Sequence, residues 1–179
     1  MASVVFLRAI NVGGANLCKP AQLAKSMRGL DIVNIGAVGT FVVRNQISQQ
    51  LLRKKFAARL AKSFRIKCEI MIAPARDLMA IASKNPFRRE KSGPEITRFM
   101  SVLHNRPRKI PALPLCLPSS DDCLLKIIKI ERQFVIGLYR REMKAIGYLG
   151  KIEKILDAPA TTRSWGTIEK VLKVLSANS

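Results

Sequence analysis

One histidine, His104, serves the whole chain, and no two cysteines take the C-x-x-C spacing. A histidine-rich metal centre is thereby excluded, and a Cys/His zinc site is not expected. No apolar run approaches bilayer length; Val4–Leu7 is typical of the longest. The opening M-A-S-V-V-F-L-R lacks a basic stretch before its apolar residues, so no signal peptide is expected. Aromatics make up only 6% of the residues. Neither 68–73 nor 97–103 has the alternating aromatics of an RNA-recognition strand. Acids are scarce too, 12 against 32 Lys and Arg, which leaves few carboxylates for general acid–base work.

What is present is positive charge, formally +20, and Asp31 is the single acid in residues 1–68. Such a field favours polyanions through steering and counterion release. A solvated basic surface is the plainer explanation. The 48% hydrophobic content supports a sizeable core in 179 residues. The four cysteines, Cys18, Cys68, Cys116 and Cys123, read as reduced, mostly buried thiols of a cytoplasmic protein. Cys68, beside Arg65 and Lys67, is the one candidate for a reactive thiol. No cofactor, metal or membrane partner is expected. A triad would have to use His104, and Asp121-Asp122 reads as a turn or strand start; neither supports catalysis.

Residues 2–10 read as a buried strand with Arg8 inside it, followed by a loop over Asn11–Gly14. Pro20 suits the first turn of a helix running to about Arg28, and Gly29 stops it. Two short strands at 31–37 and 41–44 flank a turn at Val38-Gly39-Thr40. Ser48 caps the clearest helix, with Leu52, Phe56, Leu60 and Phe64 recurring every four residues. A strand at 68–73 and a short helix at 77–83 follow. Residues 84–95 read as polar and linker-like, and a strand at 97–103 succeeds them. Prolines at 107, 111, 114 and 118 rule out a long helix or central strand there. Residues 122–130 and 133–139 read as a hairpin, then helices at 147–156 and 164–176 close the chain, Trp165 facing the core.

The order β-α-β-β-α-β predicts a ferredoxin-like half, roughly repeated after the linker. The expected fold is α+β, with two ferredoxin-like subdomains packed as one compact unit: 1–84, a linker at 85–95, and 96–179 with the closing helices.

Three stretches carry a family resemblance. Phe6–Gly14, with the later P-A-Q-L, resembles the L-R-G-I-N-V-G-G opening of the DUF1697 family of uncharacterised bacterial proteins. Asn85-Pro86-Phe87 resembles that family's mid-chain N-P-F, and P-A-T-T-R-S-W-G-T at 159–167 resembles its P-A-T-T-R-N-W-x-T. The resemblance implies an α+β protein of two ferredoxin-like subdomains and says little of function. Ala9 stands where the family has glycine, Val38-Gly39-Thr40 where it has S-G-N, and Ser164 where it has asparagine.

Two candidate sites follow. An anion site would combine Arg8, Asn11, Gly13 and Gly14 with Thr162 and Arg163, the threonines at 161 and 162 serving as helix caps. It lacks the spacing of a phosphate loop, and Arg8 could instead pair with Asp31. A basic helix face of Lys54, Lys55, Lys62 and Arg65 would meet nucleic acid through phosphates and not bases. Weak, phosphate-led binding of nucleic acid or another polyanion is the leading expectation. The alternatives are a small anionic ligand or substrate at the first site, and an interaction module without chemistry.

Overall fold

The computed structural model describes residues 1–11, 17–119 and 122–177. It divides into two compact units, Met1–Ala80 with Glu169–Ser179, and Ile81–Ile168. The divisions fall a few residues before the expected boundary at 84 and inside the closing helix expected at 164–176.

The first unit begins with β1 (Ser3–Leu7), α1 (Pro20–Ser26), β2 (Ile32–Ile35), β3 (Thr40–Val43), α2 (Gln49–Phe64) and β4 (Ile70–Pro74). Its strands are ordered β2-β3-β1-β4, all neighbours antiparallel, which is the ferredoxin-like arrangement. β1 is apolar on both faces and occupies the sheet interior, with Val5 opposite Phe41 and Ile72. The strand ends at Leu7, so Arg8 lies beyond it and half-buried, although its N–H still bonds the Glu69 carbonyl at 3.0 Å. The chain meets the charge where the ladder stops.

Ser48 Oγ accepts from the Leu51 N–H at 3.2 Å and starts α2 as its residue type predicts. Leu52, Phe56 and Leu60 are buried against Val5, Phe41 and Ile72 of the sheet and Leu23 of α1. The helix ends where Arg65 turns left-handed at φ 56°. The turn between β2 and β3 lies one or two residues earlier than expected, at 36–39, and Thr40 already belongs to β3. Gly39 closes it at φ 69°, where an added Cβ would meet Ile10 Cδ1 at 2.5 Å, so glycine is required there.

After α3 (Ala75–Ser83), the second unit holds β5 (Ile96–Leu103), β6 (Leu115–Leu117), β7 (Leu125–Glu131), β8 (Phe134–Arg140), α4 (Met143–Leu149), α5 (Lys151–Leu156) and β9 (Ala160–Ser164), and α6 (Trp165–Ser176) ends the chain's regular structure. The strand order is β6-β7-β8-β5-β9, again antiparallel throughout. Without β6, the order β7-β8-β5-β9 repeats that of the first unit. The proline-rich segment stands where the first unit has α1, and its β6 adds a short edge strand instead of a helix. The duplication inferred from element order is therefore a duplication of topology, with one helix replaced.

Three expectations need correction here. The closing helix at 147–156 is two short helices broken at Gly150. The P-A-T-T-R-S segment is not a helix cap but β9, with Thr161 opposite Val102 and Thr162 opposite Ser101. β-branched Thr161 and Thr162 suit that pleated position, and Ser164 takes the cap, its Oγ accepting from the Thr167 N–H at 3.4 Å. Finally, Cys116 and Cys123 are joined by a disulfide, with Cα atoms 5.3 Å apart. Spacing alone did not show that β6 folds back to bring them within bridging range.

Residues 85–95 also pack more closely than a linker. Phe87 is buried, its ring 4.9 Å from Trp165 in an edge-on contact, and the Arg98 guanidinium lies 5.2 Å from the Phe87 ring centre. Glu90 pairs with Lys126 at 2.9 Å. The N-P-F and R-S-W motifs thus meet through the Phe87–Trp165 ring contact. Nearby, Glu131 lies 2.9 Å from Lys84 and 2.6 Å from Lys129. Hydrogen bonds from Lys129 and then Lys84 hold its carboxyl below the ordinary value of 4.5. A lowered folded-state value means the stabilisation is full above pH 4.5 and is lost as pH falls through the folded value. Urea unfolding of Glu131→Gln is expected to show a deficit at pH 7 that shrinks as pH falls below 4.5; a deficit unchanged on acidification would refute the linkage.

Candidate anion-binding face

The helical face of the first unit collects cations for a simple reason. The buried stripe of α2 takes every fourth residue, and residues 48–67 contain no acid, so every ionised position on that helix is positive. Lys54, Lys55, Lys62 and Arg65 are all exposed, as a solvated face requires. Arg53 turns back and donates to the Ile70 carbonyl of β4, so it is structural.

Between α2 and the turn that follows α1 lies a groove of about 230 Å³. Arg28, Lys55, Arg59 and Lys62 line it, over Met27 and Leu30. Lys55, Arg59 and Lys62 are spaced i, i+4, i+7 and share one side of the helix. Among the described residues, none of the four cations makes an ion pair with a carboxylate. Asp31, the only acid before residue 69, lies 3.6 Å from Arg44. Lys55 and Lys62 are among the residues expected on the basic face of this helix. Arg59 was legible from its spacing to Lys55 but was not singled out, and Arg28 joins only through the packing of α1 on α2.

The other proposed cluster is built differently. Gly13 and Gly14 lie outside the described residues. The Asn11 carboxamide is engaged by backbone: Nδ2 donates to Cys18 O at 2.8 Å and Ala37 O at 3.0 Å, and Oδ1 accepts from the Cys18 N–H at 2.8 Å. It ties Asn11 to Cys18 and to the turn between β2 and β3. Arg8 borders a pocket of about 370 Å³ that also contains Glu69, a poor neighbour for an anion. Arg163 belongs to the second unit, is buried in β9, and donates to Thr161 Oγ1 at 2.7 Å and Thr162 O at 2.9 Å. Burial pulls its guanidinium down to about 10. Thr162 shares a 2.6 Å hydroxyl contact with Ser101.

Cys68 is not activated by its basic neighbours. Burial, then the nearby Cys18 and Glu69, push its thiol up to about 11, and burial raises Cys18 as well. The surroundings of Cys68 therefore favour the neutral thiol over the thiolate that a reactive cysteine requires. Among the described residues no three His, Cys, Asp or Glu side chains gather as a metal site, and no helix is long and apolar enough to cross a membrane.

The family model for DUF1697, a protein family of unknown function, matches residues 1–118. The chain belongs to the DUF1697 family. The match takes in the whole first unit up to Ala80, the N-P-F segment and the proline-rich insertion, and stops before the P-A-T-T-R-S-W stretch. Comparison with curated proteins found no match. Among solved structures, a conserved bacterial protein from Streptococcus pneumoniae is similar, with a TM-score of 0.62 at 15% identity, covering 95% of this chain and 96% of that one. The likeness is one of fold. In this DUF1697 protein Ala9 has φ 53°, a left-handed conformation that costs a non-glycine residue about 1 kcal/mol.

Proposed function

We propose that this DUF1697 protein binds nucleic acid or another polyanion in the cytoplasm, through phosphates and not bases, on the helical face of its first unit. The observation that supports this is the set of cations on α2 and Arg28 that, among the described residues, form no ion pair with a carboxylate. Holding like charges at i, i+4 spacing works against the helix, so a surface arranged in this way suits a partner that supplies the negative charge. Aromatic side chains are absent from the groove, which leaves no stacking platform and argues for weak, sequence-tolerant binding.

The test is the salt dependence of binding to a labelled oligonucleotide, read by fluorescence anisotropy. Four phosphate contacts give a log–log slope of about −3 to −4, roughly a hundredfold loss between 50 and 200 mM salt. Lys54→Glu with Lys62→Glu is expected to weaken binding to every sequence alike. No binding to DNA or RNA at 20 mM salt would remove the proposal. The small-ligand alternative at Arg8 and Asn11 has less support, since the Asn11 amide is already committed and Glu69 shares the pocket.

A further inference from the structure

Four uncompensated cations drawn from two separate elements are a different matter from a row along one helix. Arg28 reaches the groove from the turn after α1, while Lys55, Arg59 and Lys62 reach it from α2. Three of the four are exposed and Arg59 is half-buried, which makes Arg59 the innermost. Met27, buried, and Leu30, half-buried, give the same groove an apolar wall. At about 230 Å³ the space falls below the range of pockets that enclose whole drug-sized ligands, roughly 300–1,000 Å³.

We infer that the groove between α1 and α2 is a discrete seat for one phosphate group, with Arg28 and Arg59 as its principal ligands and Met27 and Leu30 against the organic part of the phosphoester. This rests on the polyanion reading for the sign of the partner, but it names the group and the place. Two guanidiniums offer the planar, bidentate fork that matches phosphate oxygens, while Lys55 and Lys62 contribute charge without fixed geometry. A single phosphate neutralises the repulsion between Lys55 and Arg59 at i, i+4 and between Arg59 and Lys62 at i, i+3, which the free helix must otherwise carry. Phosphate borne by a nucleic-acid strand end and phosphate on a free small molecule present the same oxygens, and only the organic part distinguishes them.

The experiment follows backbone amides by NMR during titration with inorganic phosphate, with pyrophosphate, and with a 12-nucleotide strand carrying or lacking a 5′-phosphate, all at constant ionic strength. Saturable shifts are expected at residues 27–30 and 55–62. Arg28→Gln and Arg59→Gln are each expected to weaken phosphate at least tenfold, and Lys170→Gln, exposed on α6 and outside the groove lining, less than twofold. The free Arg59→Gln protein is expected to melt no lower than the parent, because like-charge repulsion is relieved; if it fails to fold, Lys62→Gln replaces it with the same expectation. Tighter binding of the 5′-phosphorylated strand would assign the seat to a strand end, and saturation by inorganic phosphate or pyrophosphate with no 5′-phosphate preference would assign it to a small phosphorylated molecule. Non-saturable shifts spread over the whole first unit, or phosphate binding unchanged in both arginine variants, would overturn the seat. The broader reading fails separately: oligonucleotide binding that survives loss of the arginines keeps it, and absent oligonucleotide binding with an intact phosphate seat removes it.

Discussion

Phe56→Ala is expected to cost about 3–5 kcal/mol, enough to leave a domain of ordinary stability, about 5–15 kcal/mol, close to unfolding. Phe56 is fully buried in the middle of α2, its ring 5.4 Å from that of Phe41 at 57°. It sits mid-stripe in the cluster that joins the sheet to α1 and α2, so its removal opens a cavity that Leu52 and Leu60, pinned on the same stripe, cannot fill. Phe56→Leu keeps most of the volume and is expected to lose far less. Urea midpoints of the two variants check this, and an alanine variant within 1 kcal/mol of the parent would refute the packing described.

Reduction of the Cys116–Cys123 bridge is expected to lower stability by about 2.5 kcal/mol, the chain-entropy value for a closed loop of this size. The bridge ties β6 to the start of β7 at the edge of the second sheet, next to the Leu124 N–H bond to the Leu117 carbonyl at 3.1 Å. A three-residue edge strand has little else to hold it. The Cys116→Ser, Cys123→Ser double variant should match the reduced parent in denaturant midpoint and should not respond to added thiol. A parent indifferent to reductant would show that the bridge contributes nothing. The expectation also bears on location, because a cytoplasmic setting keeps most thiols reduced and would place this edge in its weaker state.

The helices and strands with strong local signals were legible from the residues alone. Ser48, the four-residue spacing of Leu52, Phe56 and Leu60, and the prolines after residue 106 each act through the backbone within a few positions, so their consequences can be read in order. The ferredoxin-like order of the first unit followed from element sequence. What escaped was non-local. Thr161 and Thr162 suit both a cap and a strand, and only the free edge of β5 decides between them. Cys116 and Cys123 looked unpaired because β6 could not be foreseen as a return strand. Within the candidate site, α2 announced its charge through the missing acids, while Arg28 was invisible until α1 was packed against it. Arg163 misled for the opposite reason: a charged residue beside a helix start suggests an anion, yet here it is turned inward and held by its own strand.

The division of the chain has a consequence for its synthesis. Residues 81–168 leave the ribosome as one uninterrupted stretch, whereas the unit that begins at Met1 also includes 169–179. At roughly 5–20 residues per second, the 88 residues from 81 to 168 delay the arrival of the first unit's second segment by roughly 4–18 s. During that interval its β-sheet can form, but the nascent chain must wait for its own tail, and the later-made unit has the opportunity to mature first.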